Sequence, residues 1–508
     1  MIALSLDETV RAVGGRMPVP CEPFGVTGLS TDTRSLKPGD LFVALSGENF
    51  DGHAFVAEAF AKGACAALVA KSAQKRLGLA DVRTAPLILV DDTRLALGRL
   101  AAHHRRELSA KVIAVTGSNG KTTTKGMIHH VLSACLPGRA ADKSFNNDVG
   151  VPLTLLSAGS ADRYLVVEIG SSAPGEVAPL AAMASPDVGV VTSIGHAHLE
   201  GFGSIEAVAR EKLSLLDHLA PGGLAVVNLD DLEGHARLGT GLPSRERKRP
   251  VDQPRACAWG SENRHLAASG ERAAIGADLC PGSSRAISYG TDPRADVRVT
   301  DLKCRFDGVD FTINGRYPVR LPVPGEHNAR NAAAVFAVAR RMELEPERIV
   351  EALATVELPE MRLHVRRLNG VTVIEDCYNA NPTSMAAGIG VLCAVQEGRR
   401  VLVAGEMKEL GGETGVLHER IGALAARSGV DLVVSVGRGA APVVDGVRSL
   451  DPGVTVHTCA STEQACAEVP PMLAEGDTVL IKGSRAMGLE RLTQEIIERF
   501  SAVSSARE

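Results

Sequence analysis

The residues best suited to chemistry lie in Lys111 to Lys125, KVIAVTGSNGKTTTK, where an apolar run breaks into a glycine-rich turn ending in Gly120-Lys121-Thr122-Thr123. Gly117 and Gly120 permit backbone angles that turn successive N–H groups, from Thr116 through Ser118 and Asn119, around an anion. Lys121 can place a point charge on the outer phosphates of a nucleotide, and the Thr122 or Thr123 hydroxyl can hold a phosphate-bound Mg²⁺. The generic phosphate loop has a glycine five residues before Gly120, where this chain has Val115, so the turn is a shortened variant.

Such a loop works only between a strand and a helix. Val112 to Val115 is a β-branched run that fits a buried strand, and Thr122 to Leu132 fits a helix whose dipole adds positive potential at the loop. In open α/β sheets ligands collect beyond the carboxyl ends of strands. Glu168 closes YLVVE and His198 follows VGVVTSIGHA, so both are expected there. A carboxylate suits Mg²⁺ and a neutral imidazole can complete its coordination. Each also fits a plain strand end or turn. Lys212 lies in SIEAVAREKLSLLDHLAPGG, with Ser204 as N-cap and Pro221-Gly222-Gly223 as the stop, and by spacing is a surface lysine. Asn146 and Asn147 fit a turn held by amide side chains. Asn328 and Asn331 fit helix capping before Ala332 to Ala339. Lys482, Ser484 and Arg485 follow the run VLI and could hold an anionic group or a neighbouring Glu.

Composition bounds the rest. The 508 residues should form about three domains, and 45% hydrophobic content suffices for several cores. A net charge of −5 with mixed signs argues against general attraction to nucleic acid or membrane. Asp7 and Glu8 stand where a signal peptide needs an apolar core, and no run approaches the ~18 apolar residues of a spanning helix, so a cytoplasmic location is expected. The ten cysteines include no C-x-x-C pair, which favours reduced thiols over a disulfide framework or structural zinc.

Three blocks follow. The first, to about Leu108, alternates strand-like runs (DLFVAL, AALVA, PLILVDD) with helix-like ones such as Ala54 to Lys62. The second begins at the phosphate loop, and its apolar runs suggest a largely parallel sheet wrapped by helices. The third, from about Met361, repeats the pattern with VTVIEDCYNA, RVLVAGEM, DLVVSVG and DTVLIKGS, Rossmann-like without G-x-G-x-x-G. Leu232 to Ala286 reads as an irregular insertion whose basic cluster, Arg245, Arg247, Lys248 and Arg249, fits a solvated loop.

TGSNGKTTTK, NNDVGVPLTLL, EIGSSAPGEV, AHLEGFGSIEAVAREK, PGEHNARNAAA, DCYNANPTSM, GEMKELG and KGSRAMGLE occur in the order found in Mur ligases. The chain resembles that family over nearly its whole length outside the insertion. The resemblance implies an α/β, three-domain architecture. It comprises a small N-terminal α/β domain (1–108) for a UDP-substrate, a central P-loop ATPase-like parallel-sheet domain (109–358, with the insertion at about 232–286) and a C-terminal Rossmann-like domain (359–508). STDTR, with Ser30, Thr31, Asp32 and Arg34, and DLFVALSGENFDGH are similar to the family's uridine-nucleotide-binding segment. The Asp-Asn-Pro-Arg motif of the amino-acid-adding member is absent, and YNANPTSM in its place is similar to the dipeptide-adding member.

That resemblance implies ATP-dependent carboxylate–amine ligation. The terminal carboxylate of UDP-N-acetylmuramoyl-tripeptide attacks the γ-phosphate of ATP, and D-alanyl-D-alanine then displaces phosphate to give the pentapeptide precursor of peptidoglycan. An amino-acid-adding ligase, a folylpolyglutamate-synthetase-like enzyme and a nucleotide-driven switch without ligation are the alternatives. Carried over residue by residue, Lys121 meets the β- and γ-phosphates, and Thr122, Glu168 and His198 form the Mg²⁺ site. Lys212 is the lysine carbamylated by CO₂, although Leu213-Ser214 follows it where many members have Gly-Glu. Asn146 and Asn147 lie near substrate and phosphate, Asn328 and Asn331 at the adenine, and Arg362 and Asp376 at the nucleotide from the third domain. Asn379 and Asn381 line the dipeptide site, and Lys482 and Arg485 face an anionic substrate group. The resemblance also implies a monomer whose domains close to act.

Overall fold

The computed structural model of the chain describes residues 4–19, 21–22, 24–47, 50–76, 86–142, 144–231, 285–357 and 361–502. Three sheets, of four, nine and six strands, succeed one another along it. In the first, β1 (Gly28–Ser30), β2 (Asp40–Val43), β3 (Ala66–Ala70) and β4 (Leu87–Val90) run parallel in that order. Apart from Asp40, which opens β2, strands β2 to β4 are apolar runs because both faces are covered. The helical run read at Ala54 to Lys62 divides into a 3₁₀ turn, Gly52–Phe55, and a helix, Val56–Ala61, because the Asp51 side chain caps at His53 N. Two longer helices flank the sheet. One is α1 (Leu6–Val13), held by a Ser5–Glu8 capping box, and the other is α2 (Thr93–Glu107), capped by Asp92.

The central sheet starts with β5 (Lys111–Thr116), which leads through the glycine-rich turn into α3 (Lys121–Ser133). Then come β6 (Gly138–Ala140), α4 (Gly150–Ser157), β7 (Tyr164–Glu168), α5 (Val177–Ala184), β8 (Val188–Val191), α6 (Ile205–Leu213) and β9 (Leu224–Asn228). Past the insertion lie β10 (Arg285–Gly290), β11 (Val297–Arg305), β12 (Gly308–Ile313), β13 (Tyr317–Leu321) and α7 (Glu326–Arg341). The strand order is β6-β7-β5-β8-β9-β10-β11-β12-β13. Pairing is parallel as far as β11 and antiparallel in the β11–β13 meander, so the parallel reading holds with an added antiparallel edge. Strand β10 starts at Arg285, inside the segment read as irregular to Ala286, and the basic cluster 245–249 lies outside the described residues.

The last sheet contains β14 (His364–Arg367), β15 (Thr372–Glu375), β16 (Arg400–Gly405), β17 (Leu432–Val436), β18 (Thr455–Cys459) and β19 (Thr478–Lys482), with helix α8 (Pro382–Cys393) between β15 and β16. Its order is β14-β15-β19-β16-β17-β18, antiparallel only at β14–β15, with an apolar cluster on each face. No helix among the described residues is long and apolar enough to cross a membrane.

Helix α2 joins the first two sheets. One apolar cluster runs from Leu6, Leu41 and Ile88 through Leu97 and Leu100 to Val112, Leu155 and Leu180. At the far end of α2 Arg105 donates to Ala184 O (2.8 Å) and Ser185 O (2.9 Å) and pairs with Asp187 (2.8 Å). Asp187 also takes Lys111 (2.9 Å) and Val112 N (3.0 Å), which fixes the short link into β5.

Candidate active site

Parallel pairing brings the chemistry together. Glu168 is in register with Val115 and Val191 with Thr116, so the ends of β7 and β8 flank the loop that leaves β5. The three strand ends open into a cavity of about 860 Å³ that the last sheet closes from the other side. Ser118, Asn119, Gly120, Lys121, Thr122 and Thr123 line it, as do Asn146, Asn147, Glu168, His198, Asn328 and Asn331. From the third domain come Arg362, Asp376, Asn379 and Asn381 in its loops and Lys482 at the end of β19.

Gly117 (φ 143°) and Gly120 (φ 80°) lie in backbone regions closed to most side chains. A Cβ on Gly117 would stand 2.2 Å from Thr192 Oγ1, and one on Gly120 2.9 Å from Asn331 Oδ1. Ser193 secures the loop by accepting from Asn119 N (2.8 Å), and the Lys121 ammonium donates to Gly117 O (2.6 Å) across its concavity. Burial lowers the pKa of Lys121. Thr116 lies beneath the cavity, its hydroxyl donating to Ile169 O (2.8 Å).

Glu168, 1% exposed, is the hub of the site. Its Oε1 accepts from Thr122 Oγ1 (3.2 Å) and Asn146 Nδ2 (3.0 Å), and Lys125 lies 3.3 Å from Oε2, which has no hydrogen bond. His198 sits after β8 in the left-handed region (φ 54°), its Nδ1 against the Glu409 carboxylate, and burial lowers its pKa. Lys212 corrects the surface reading. It lies in the last turn of α6, 1% exposed, where its ammonium donates to Ser171 Oγ (2.6 Å) and stands 5.6 Å from the Phe202 ring centre. Spacing failed there because residues 171–177 wrap the end of α6, where Glu211 accepts from Gly175 N, Glu176 N and Val177 N (2.7–2.9 Å). Burial first, and the Lys121 charge second, bring Lys212 down to about 7.

Asn147 does hold a turn, accepting from Gly150 N (2.9 Å) at the start of α4. Asn328 and Asn331 do not cap α7. The helix begins after Gly325 without a side-chain cap; Asn331 Nδ2 donates to Asn328 Oδ1 (3.1 Å) and Asn328 Nδ2 to Pro324 O (2.7 Å), beside the phosphate loop. Across the cavity Arg362 stacks on Tyr378 (4.3 Å) and donates to Thr122 Oγ1 (3.0 Å), and Asn381 donates to Asn119 Oδ1 (2.8 Å) while capping α8. Asp376 pairs with Lys482 (2.7 Å), whose ammonium also donates to Asn379 O (3.0 Å), and burial raises the Asp376 pKa against that charge.

Besides Thr116, Gly117 and Lys212, the last of which meets the cavity only through Ser171, two groups of expected residues lie outside the cavity lining. Ser30, Thr31, Asp32 and Arg34 form a self-contained turn after β1 in the first domain, with Arg34 paired to Asp32 (2.6 Å) and Ser30 Oγ donating to Asp32 O (2.8 Å). Arg485 pairs with Glu490 (3.2 Å) at the surface.

Three family models match the chain in succession: "Mur ligase family, catalytic domain" over 25–105, "Mur ligase middle domain" over 115–240 and 273–339, and "Mur ligase, glutamate ligase domain" over 361–485. The UDP-N-acetylmuramoyl-tripeptide--D-alanyl-D-alanine ligase of Bacillus subtilis is 32% identical over 502 residues, 98% of this chain and 99% of the relative. The chain belongs to the Mur ligase family. The Escherichia coli ligase of the same description is also 32% identical, over 505 residues that cover 98% of this chain and 99% of its own. A crystal structure of MurF from Acinetobacter baumannii superposes with a TM-score of 0.80 at 29% identity, covering 98% of this chain and 99% of that one. The Mur ligase architecture expected from the motifs is therefore present.

Sequence reasoning passed over several groups of this Mur ligase site. Glu409, Lys125, Ser171 and Tyr378 each hold a residue it named. Asn228 donates to Thr192 O (3.1 Å) and Asp231 (3.2 Å), and His327, brought down to about 4 by burial, also lines the cavity. Glu409 and Tyr378 lie in GEMKELG and YNANPTSM, so those motifs were the available signal. Lys125 carried none beyond its place one helical turn after Lys121.

Proposed function

We propose that this chain joins D-alanyl-D-alanine to UDP-N-acetylmuramoyl-tripeptide, with ATP converted to ADP and phosphate. One observation carries the reading. A phosphate loop, a buried carboxylate, an imidazole and the third domain's Arg362 converge on one cavity, in a chain coextensive with ligases of that description. The division 1–108, 109–358 and 359–508 then assigns the uridine nucleotide to the first domain through Ser30, Thr31, Asp32 and Arg34, ATP to the second and the dipeptide to the third.

The phosphate loop and Lys121 hold the β- and γ-phosphates, with Asn328 and Asn331 at the adenine and Arg362 and Asp376 closing over the nucleotide. Asn146 and Asn147 orient the tripeptide end. Its carboxylate oxygen attacks the γ-phosphorus, the bond to the ADP oxygen breaks, and an acyl phosphate results. The neutral amine of D-alanyl-D-alanine, set by Asn379 and Asn381 with Lys482 or Arg485 near its carboxylate, attacks the acyl carbon. Phosphate leaves and the amine proton is lost to solvent. A carboxylate alone is a poor electrophile, which is why phosphoryl transfer must come first.

The donor set fits a hard cation. Thr122 offers a hydroxyl, Glu168 a buried carboxylate whose Oε2 has the Lys125 ammonium as its neighbour at 3.3 Å, and His198 faces the same space. Mg²⁺ held by Thr122, Glu168 and His198 would neutralise charge where carboxylate and triphosphate meet. Lys212 fits carbamylation, because a pKa of about 7 leaves the free amine that adds CO₂ well populated near neutrality, and the carbamate is an oxygen-rich anion. The likeness to the Mur ligases is the ground for expecting a monomer, and water-soluble nucleotide substrates support a cytoplasmic location.

Phosphate release is the test, measured with ATP and Mg²⁺ and with the tripeptide carrying either diaminopimelate or lysine at its third residue, with and without D-alanyl-D-alanine. Release that needs both substrates, with pentapeptide detected by mass, is expected. Release indifferent to both would replace ligation by a nucleotide switch.

A further inference from the structure

His198 and Glu409 belong to different domains and meet across the seam between the central and last sheets. Both occupy the left-handed region although neither is glycine, His198 at φ 54° and Glu409 at φ 64°. Residues persist there when their surroundings over-determine them. Three further contacts tie the two turns together. The Glu409 carboxylate accepts at His198 Nδ1, Glu200 N donates to Glu409 O (3.0 Å), and Leu199 packs against the apolar cluster of the last sheet. The other acid of this turn, Glu406, is occupied by Lys408 and Gly439 N (2.8 Å), so Glu409 is the one directed across the seam.

An imidazole with its Nδ1 hydrogen on a carboxylate has its ring orientation fixed and leaves Nε2 with a lone pair. We infer that Glu409 is a positioning residue for His198: its carboxylate, brought up only when the third domain is docked, fixes the ring with Nε2 free toward the cavity. Docking of the third domain therefore does two things at once. It delivers Arg362 to Thr122, and it sets the tautomer of a side chain that belongs to the central domain. The inference rests on the ligase reading above for its catalytic consequence, while the contact itself stands apart from that reading.

The full-length protein, labelled with ¹⁵N in its histidine rings, tests this directly. His198→Gln identifies the His198 signals, and Glu409→Ala, Glu409→Gln and Glu413→Ala are compared with the parent. Glu413 is exposed on the adjoining turn and serves as the control. The parent, Glu409→Gln and Glu413→Ala should show His198 protonated at Nδ1, whereas Glu409→Ala should show a tautomer mixture. In ligation, Glu409→Ala should lower kcat by ~10–100-fold with KM for ATP little changed, Glu409→Gln should recover most of the loss, and Glu413→Ala should match the parent. Should Glu409→Ala fail to fold, Glu409→Asp, one methylene shorter, makes the same comparison. Identical His198 ring signals in the parent and Glu409→Ala would overturn the inference. So would an equal loss of kcat in Glu413→Ala. A parent with no ligation activity would sink the ligase reading instead, and the ring spectra would still decide the contact.

Discussion

The two seams that join the central sheet to its neighbours differ in their dominant contacts. Toward the first domain, Leu97 and Leu100 of α2 lie in an apolar cluster that runs unbroken from Leu41 and Ile88 to Val112 and Leu155. Toward the third, the contacts are mainly polar and surround a cavity: Arg362 to Thr122, Asn381 to Asn119, Tyr378 to Ser144 (2.7 Å) and His198 to Glu409. Separating the first seam exposes closely packed side chains to water, at about 25 cal/mol for each Å². Separating the second exchanges hydrogen bonds with protein for hydrogen bonds with water, a net change of about 1 kcal/mol each. The third domain is therefore expected to part from the central sheet at lower cost than the first.

The largest effect is expected at Lys212, 1% exposed at the end of α6. Lys212→Ala should reduce ligation on the order of 10³-fold while the melting profile stays cooperative, with partial recovery by added short carboxylates. Near-parental turnover would remove the carbamate assignment. On the apolar seam, Leu97→Ala should cost about 3 kcal/mol in denaturant unfolding, with kcat per folded molecule unchanged. A drop in kcat there without loss of stability would mean the first seam is also catalytic. On the polar seam, Arg362→Ala should lower kcat about 10²-fold and leave stability nearly unaltered. The smallest effect concerns pH. His104 of α2 is buried with Nε2 on Ala158 O (3.0 Å), and burial lowers its pKa. The unfolded chain then binds the extra proton first, so stability holds above the ordinary histidine value and falls as pH drops below it. The slope is at most about 1.4 kcal/mol per pH unit for this one group. His104→Gln should flatten that part of the stability–pH curve, and an unchanged curve would discount His104.

Much of this was legible in the sequence wherever local pattern and tertiary role agree. KVIAVTGSNGKTTTK gives strand, loop and helix, and Glu168 ends its strand at the loop because parallel register places it there. What stayed hidden depends on partners distant in sequence. Lys212 looks like any surface lysine until residues 171–177 fold over it, and Asn328 and Asn331 look like helix caps until Gly120 is seen against Asn331. Glu409 could not be paired with a histidine 211 positions away by any spacing argument. The β11–β13 meander was missed because its strands alternate half-exposed and buried residues, a weaker signal than the continuous runs around it.

Asp187 lies where the first two domains join. It takes Arg105, Lys111 and Val112 N together, and so removes play from the link between the first two domains. On the proposed reading, a substrate held at its nucleotide end by the first domain and at its carboxylate end by the phosphate loop would span two fixed points. The molecule would then act as a ruler. A peptide one residue too short or too long would present its carboxylate at the wrong place whatever its side chains, and selection by length would precede selection by chemical detail.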